Sequence, residues 1–334
     1  MTRTEAIKRE ALGLGFVAVG ISRVAARERD AKSIDHARAP TPQPPRLIDR
    51  LQEWLSRGYH GAMAWMAHDP HRRADPNKVL PGCRSVISVG VNYYTDHQPD
   101  ERPGHGRIGR YAWGQDYHSY LLTRLRQLEG GIKALVPHAE TRSYVDTGPV
   151  MEKAWAQQAG LGWIGKHSNL VSTEYGSWLL LGEVLTTLEL DPDEPGADLC
   201  GSCALCIRAC PTGAITAPYV VDARLCISYL TIELHKPGDE IQEELAPKLG
   251  NRIFGCDDCL DVCPYNVNAT PTDEPAFQPS QLTLAPRLET LSKFSVAEFA
   301  TTFTRSAIRR AKHAGFLRNV RVALRNLKQL TPSL

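Results

Sequence analysis

Hydrophobic and polar residues follow two periods along the chain. Ala6, Ile7, Ala11 and Leu12 share one face of an N-terminal helix, and Phe16-Val17-Ala18-Val19 predicts a short strand after it. Leu47, Ile48, Leu51, Trp54 and Leu55 mark a second amphipathic helix, beyond a Pro-rich loop at residues 39–45. Residues 85–94 (SVISVGVNYY) alternate like a strand. Tyr117, Tyr120, Leu121, Leu125 and Leu128 hold helical spacing until Gly130-Gly131 weakens it, and residues 177–190 predict another strand. No repeat of fixed period is visible. The pattern predicts an α/β (α+β) domain over residues 1–190. An acidic, Pro-containing linker (DPDEPGAD, 191–198) then opens a Cys-rich, ferredoxin-like domain over 191–275, and a helical basic tail fills 276–334.

Composition narrows the class. The 334 residues are 42% hydrophobic and 23% charged, enough for one large domain or two to three smaller ones around a real core. A net charge of +2 is too small to point to a polyanion by itself. No apolar run approaches the roughly 20 residues of a membrane helix. The polar start, MTRTEAIKRE, has neither the apolar segment of a secretory signal nor a twin arginine. The expected location is therefore the cytoplasm, with no membrane partner. Nine cysteines are many for such a protein; Cys83 stands alone and the other eight fall between Cys200 and Cys263. A reducing compartment disfavours four disulfides, so the clustered thiols predict metal ligands.

Their spacing specifies the metal group. Cys200-x2-Cys203-x2-Cys206-x3-Cys210-Pro211 is the bacterial ferredoxin pattern, in which three close thiolates hold one 4Fe–4S cluster and the fourth reaches a second. Cys256-x2-Cys259-x3-Cys263-Pro264 is one ligand short, and Cys226 can supply it. The resulting pairing is Cys200, Cys203, Cys206 and Cys263 on one cluster, with Cys210, Cys226, Cys256 and Cys259 on the other. Paired zinc sites are the competing explanation. Proline after each terminal Cys and the x2-x2-x3 wrap oppose it. Cys83 precedes an apolar strand and reads as a buried structural thiol. Gly160-x4-Gly165-Lys166 mimics a phosphate loop, but His167 replaces the magnesium-binding hydroxyl and a helix, not a strand, precedes it.

Several further segments carry a resemblance. Tyr144-Val145-Asp146-Thr147-Gly148-Pro149, Gly162-Trp163-Ile164-Gly165-Lys166, residues 226–233 (CISYLTIE) and Phe254-Gly255-Cys256-Asp257-Asp258-Cys259 resemble the epoxyqueuosine reductases, and the likeness runs from Gly58-Tyr59 to about Asn326. Members of that family use cobalamin and two 4Fe–4S clusters to remove the epoxide oxygen from epoxyqueuosine at the wobble position of tRNA. The resemblance implies the same cofactors here, a tRNA carrying epoxyqueuosine as substrate, and an external low-potential electron donor. It also implies a base-off corrinoid with no protein imidazole on cobalt. A monomer is expected.

Individual residues follow from the resemblance. Asp146 resembles the family's proton donor, although Asp before Thr-Gly-Pro also suits a turn or helix start. Protonating an opening epoxide calls for a carboxyl of raised pKa, with partial burial against the cofactor as the expected cause, which also puts Asp146 among the cofactor-binding residues. Ser168-Asn169 and Ser228-Tyr229 are candidates for hydrogen bonds to the corrin amides or its nucleotide tail, ordinary loop and helix polarity being the alternative. Asp257 faces the corrin or accepts backbone hydrogen bonds, and Tyr111 and Asp116 are placed in the same pocket. Typical members continue into HEAT-like repeats, whose start Ser306-x2-Arg309-Arg310 and Arg318-Asn319 resemble, whereas this chain ends at Leu334, truncated relative to them. Eight Lys or Arg and no acid lie in residues 301–334. Arg309, Arg310, Arg318 and Arg321 are the candidates for phosphate contacts. Two other functions compete: a reductive dehalogenase-like cobalamin and iron–sulfur reductase, and a non-catalytic ferredoxin with a fused binding domain.

Overall fold

The computed structural model describes residues 1–24, 46–100, 102–236 and 238–330. The Pro-rich loop expected at 39–45 lies outside the described residues. Helix α1 (Arg3–Gly13) begins on a Thr2 capping box shared with Glu5 and leads into strand β1 (Ala18–Arg23). Then follow α2 (Leu47–Ser56), β2 (Ser85–Asn92), α3 (Tyr117–Leu135), β3 (Thr141–Tyr144), α4 (Glu152–Gln158) and β4 (Leu179–Thr186). The sheet order is β1-β2-β4-β3, and every pairing is antiparallel. The domain is therefore α+β rather than a parallel α/β sheet.

All eight residues of β2 are buried, because helices cover both faces of the sheet. Ile87, Val89 and Val91 face α1 and α3, meeting Ile7, Leu121, Leu125 and Leu128. Val86 and Leu185 face the other way, toward Trp155 of α4 and the buried Cys83. Two strand and helix boundaries differ from the pattern reading, each at a glycine. β1 continues through Gly20, where a Cβ would come within 1.9 Å of the Ala159 carbonyl at the end of α4. α3 runs on through Gly130-Gly131 to Leu135, and the Glu10 carboxyl of α1 occupies the space a Cβ on Gly131 would need. Both glycines serve close packing, not chain breaking.

The acidic segment 191–198 is strapped to the first domain rather than free. Asp193 accepts from Lys8 Nζ at 2.5 Å and from the Ile21 N–H at 2.7 Å, and Asp191 accepts from the Thr4 hydroxyl. The cysteine region then builds α5 (Leu205–Ala209), α6 (Ile227–Ile232), strand β5 (Arg252–Phe254) and α7 (Asp258–Asp261). The last helix, α8 (Lys312–Leu330), packs Phe316 and Val320 on Ile253, Phe254, Phe299 and Phe303. Burying a side chain of that size stabilises by about 1.5–3 kcal/mol, so the tail is an integral layer. Buried Asn319 stitches it down by donating to the Thr231 and Ile253 carbonyls at 2.8 and 2.9 Å. Among the described residues, no helix is long and apolar enough to cross a membrane.

Candidate active site

A cavity of about 760 Å³ opens where β4, the start of α4, the start of α6 and the Cys256 loop converge. Six of the eight residues expected around a cofactor line it: Tyr111, Asp146, Asn169, Ser228, Tyr229 and Asp257. The other two are not part of its lining. Asp116 caps α3 and binds His118, while the Ser168 carbonyl accepts from Lys153 Nζ at 3.0 Å. Asp257 lines the cavity and accepts from the Arg110 N–H at 2.7 Å, the backbone contact that is the alternative for it. The Tyr229 hydroxyl accepts from the Ala62 N–H at 2.6 Å and pins the loop that brings Met63 to the rim.

Asp146 lies just beyond β3 in a left-handed conformation (φ 55°), which Asp tolerates better than bulkier residues. Its carboxylate accepts from Tyr117 Oη at 2.9 Å and lies 3.5 Å from His118 Nε2. His118 Nδ1 is in turn 2.7 Å from Asp116. Asp146 is 66% exposed, with the cavity in front of it and protein behind. The expected rise in its pKa is not what the geometry produces. The hydrogen bond from His118 outweighs burial, and Tyr117 adds to it, so the carboxyl is held below its ordinary range. Burial alone would depress His118, but the two flanking carboxylates win and push it up to about 9. At neutral pH the pair is therefore a carboxylate and an imidazolium, and the mobile proton resides on His118.

The sequence reading missed the rest of this charged wall. Burial raises Glu152 to about 7 and lowers Lys153 and Arg73, all three lining the cavity. Lys153 also donates to Asn169 Oδ1 at 2.7 Å. Two polar atoms of lining residues are buried without a partner, Arg73 Nε and Glu152 Oε1, and so is Ser168 Oγ, next in sequence to the lining residue Asn169. Such groups cost free energy unless a ligand meets them. Leu179, Leu180 and Leu181 supply an apolar wall opposite. A large, amide-rimmed organic cofactor fits this donor set and this volume, which lies within the roughly 300–1,000 Å³ typical of ligand pockets.

The eight clustered cysteines gather into two neighbourhoods. Cys206 has Cys200, Cys203 and Cys263 as charge neighbours, while Cys259 has Cys210, Cys226 and Cys256. These are the two quartets of the ferredoxin spacing, although among the described residues no three ligating side chains form a single-ion site. Trp163 Nε1 donates to Cys200 Sγ at 3.4 Å, and the Ala214 N–H donates to Cys210 Sγ at 3.2 Å. Cys256 lies in the cavity wall, joining the second quartet to the site. Lys166 of the apparent phosphate loop is spent on the carbonyls of Gly201 and Cys203.

A family profile described as epoxyqueuosine reductase QueG, DUF1730, matches residues 73–147, and one described as a 4Fe-4S double cluster binding domain matches 199–266. An epoxyqueuosine reductase of Synechocystis sp. is 48% identical over 276 residues, covering 82% of this chain and 94% of its own. The chain belongs to the epoxyqueuosine reductase family. The epoxyqueuosine reductase of Escherichia coli K12 is 43% identical over 324 residues, 96% of this chain and 80% of that one. Among solved structures, an epoxyqueuosine reductase with an epoxyqueuosine-modified tRNA-Tyr stem loop superposes with a TM-score of 0.85 at 31% identity, covering 97% of this chain and 81% of that one. The Bacillus subtilis epoxyqueuosine reductase, seen with its catalytic aspartate loop swung out of the active site, gives 0.84 at 29% identity over 98% of this chain and 82% of that one.

The four arginines expected to meet RNA divide. Arg310 lines the cavity and pairs with Glu233 at 2.8 Å. Arg318 turns inward, donating to the Asp239 and Leu230 carbonyls, and burial lowers its pKa. Its guanidinium is committed to holding α8. Arg309 and Arg321 remain exposed. So do Arg325 and Lys328, which follow Arg321 at four and seven residues on the outer face of α8.

Proposed function

We propose that this chain reduces epoxyqueuosine to queuosine at the wobble position of tRNA in the cytoplasm, acting as a monomer fed by an external low-potential electron donor. The observation that carries the reading is the meeting, in one cavity, of the Cys256 thiol and the proton-bearing Asp146–His118 pair. Converting an epoxide to an alkene consumes two electrons and two protons and releases water, so the site must bring both together. The two cysteine quartets would hold 4Fe–4S clusters; Ser168, Asn169, Ser228, Tyr229, Lys153 and Arg73 would hold cobalamin. When bound, these groups supply one-electron relay and a cobalt reductant able to cleave a C–O bond.

The protein's own part is the proton and the position. His118 stores the proton, Asp116 fixes the imidazole so that Nε2 faces Asp146, and Asp146 passes the proton to the oxygen as negative charge develops there. Leu179, Leu180 and Leu181 keep one wall dry. A passive ferredoxin has no use for such a proton store, and the matched relatives favour the epoxide over an organohalide. Anaerobic purification with added cobalamin should yield about eight iron atoms and about one cobalt per chain. Iron and sulfide without a bound corrinoid would refute the cofactor assignment.

Two further results are expected. His118, raised to about 9, stays charged through neutral pH. Single-turnover rates should thus be level near pH 7 and fall as pH rises through about 9. His118→Gln should lower the rate and remove that alkaline limb; an unchanged profile would clear His118 of the role. For RNA, neutralising Arg309, Arg321, Arg325 and Lys328 together should weaken tRNA binding, each lost phosphate contact reducing the salt slope by roughly one. Cofactor spectra should not change. Unaltered affinity and slope in a filter-binding titration would move the RNA site elsewhere.

A further inference from the structure

Of eleven large hydrophobic side chains that stand exposed among the described residues, five surround one thiol quartet. Leu199, Leu205 and Val262 directly neighbour Cys200, Cys206 and Cys263, and Val267, 73% exposed, lies four residues beyond the last. Tyr219 joins them through its hydrogen bond to Asp198, which also accepts from the Cys200 N–H. The Tyr265 hydroxyl, bonded to the Leu199 carbonyl, ties the two cysteine loops into one surface. The second quartet differs. Cys256 turns to the cavity, and Cys226 and Cys259 pack against buried clusters.

Two cations, Arg208 and Lys166, stand on the rim together with the exposed Asp198. Arg208 is exposed on α5, between Cys206 and Cys210. Lys166 donates to the Gly201 and Cys203 carbonyls at 2.5 and 2.8 Å, which fixes its side chain beside the Cys200 loop. Next to Val267 opens a cavity of about 420 Å³ lined by Arg107, Arg110 and Asp261. Both arginines pair with that aspartate and Arg107 also reaches Asp258 at 3.8 Å, so the cavity is a network of paired charges and the rim's cations are Arg208 and Lys166. An exposed apolar centre within a charged rim, directly over a redox centre, is the form of a transient electron-transfer interface: small, electrostatically steered and quick to release.

We propose that this patch docks a small acidic electron-carrier protein whose one-electron prosthetic group lies near its own surface. Each encounter oxidises the carrier by one electron and reduces the cluster of Cys200, Cys203, Cys206 and Cys263 by one, so two encounters supply one turnover. The inference rests on the reductase reading above and adds the entry point and the partner's charge.

The test uses the holoprotein and follows cluster bleaching by stopped flow, with reduced flavodoxin as the acidic carrier and reduced methyl viologen as a small reductant that needs no docking face. Leu205→Glu, Val267→Glu and Arg208→Glu all alter exposed positions. Each should slow reduction by flavodoxin by about 10-fold or more and leave reduction by viologen unchanged. The wild-type flavodoxin rate should fall as salt rises. Equal rates for wild type and variants with flavodoxin would overturn the proposal. So would equal slowing with both reductants, which would place the effect on the cluster itself. Lost tRNA affinity or a changed oligomeric state in the variants would make the patch an RNA face or a self-contact instead. Viologen-driven turnover of the modified tRNA tests the reductase reading separately.

Discussion

Asp146→Asn should keep both iron–sulfur signals and bound cobalamin yet lose turnover of epoxyqueuosine tRNA by about 100-fold or more. The amide preserves size and left-handed backbone, and it still accepts from Tyr117. What it cannot do is receive a proton from His118 and hand it on. The substitution also removes one of the two carboxylates that hold His118 in its charged form, so His118 should titrate below about 9 in the variant. That shift, read by NMR of the imidazole, separates a broken relay from a misplaced turn. Near-normal turnover would return Asp146 to the role of a turn residue.

Cys226→Ser should be nearly as damaging, though Cys226 belongs to neither compact cysteine run. Its thiol sits at the start of α6, charge-coupled to Cys210 and beside Cys259. A serine hydroxyl is a poor iron ligand, so bound iron should fall from about eight toward about four per chain. The surviving quartet would be the surface one, cut off from the cavity that Cys256 lines. The expected signature is a protein that accepts electrons from a small reductant at one cluster but does not turn over. Two intact, fully reducible clusters in the variant would remove Cys226 from the ligand set.

Much of this was legible in the chain because covalent spacing carried it. Ferredoxin wraps are local, so the grouping of Cys206 with Cys200, Cys203 and Cys263 needed only their order. Asp146, Asn169 and Tyr229 were found through residue-by-residue resemblance. The charged wall was not legible. Arg73, Glu152 and Lys153 are ordinary surface types in sequence, and only the fold turns them toward one cavity, where burial shifts their pKa values. His118 left a weak signal, standing two residues after the helix-capping Asp116, but helical periodicity assigned its neighbour Tyr117 to the core. The direction of the Asp146 shift escapes the sequence for a related reason: the pattern predicts burial but not the imidazolium beside it. Arg318 shows the same limit in the tail, where charge counts cannot tell a presented cation from one spent on carbonyls.

The most direct measurement of the central claim is nucleoside mass spectrometry after single turnover. The holoprotein, with its clusters and cobalamin, would be mixed anaerobically with epoxyqueuosine-modified tRNA and excess low-potential reductant, and the digested nucleosides analysed. Epoxyqueuosine should be replaced by a nucleoside lighter by one oxygen atom, only when both cobalamin and reductant are present. An unchanged modified nucleoside, in a preparation whose clusters are reduced and whose corrinoid is bound, would contradict the account.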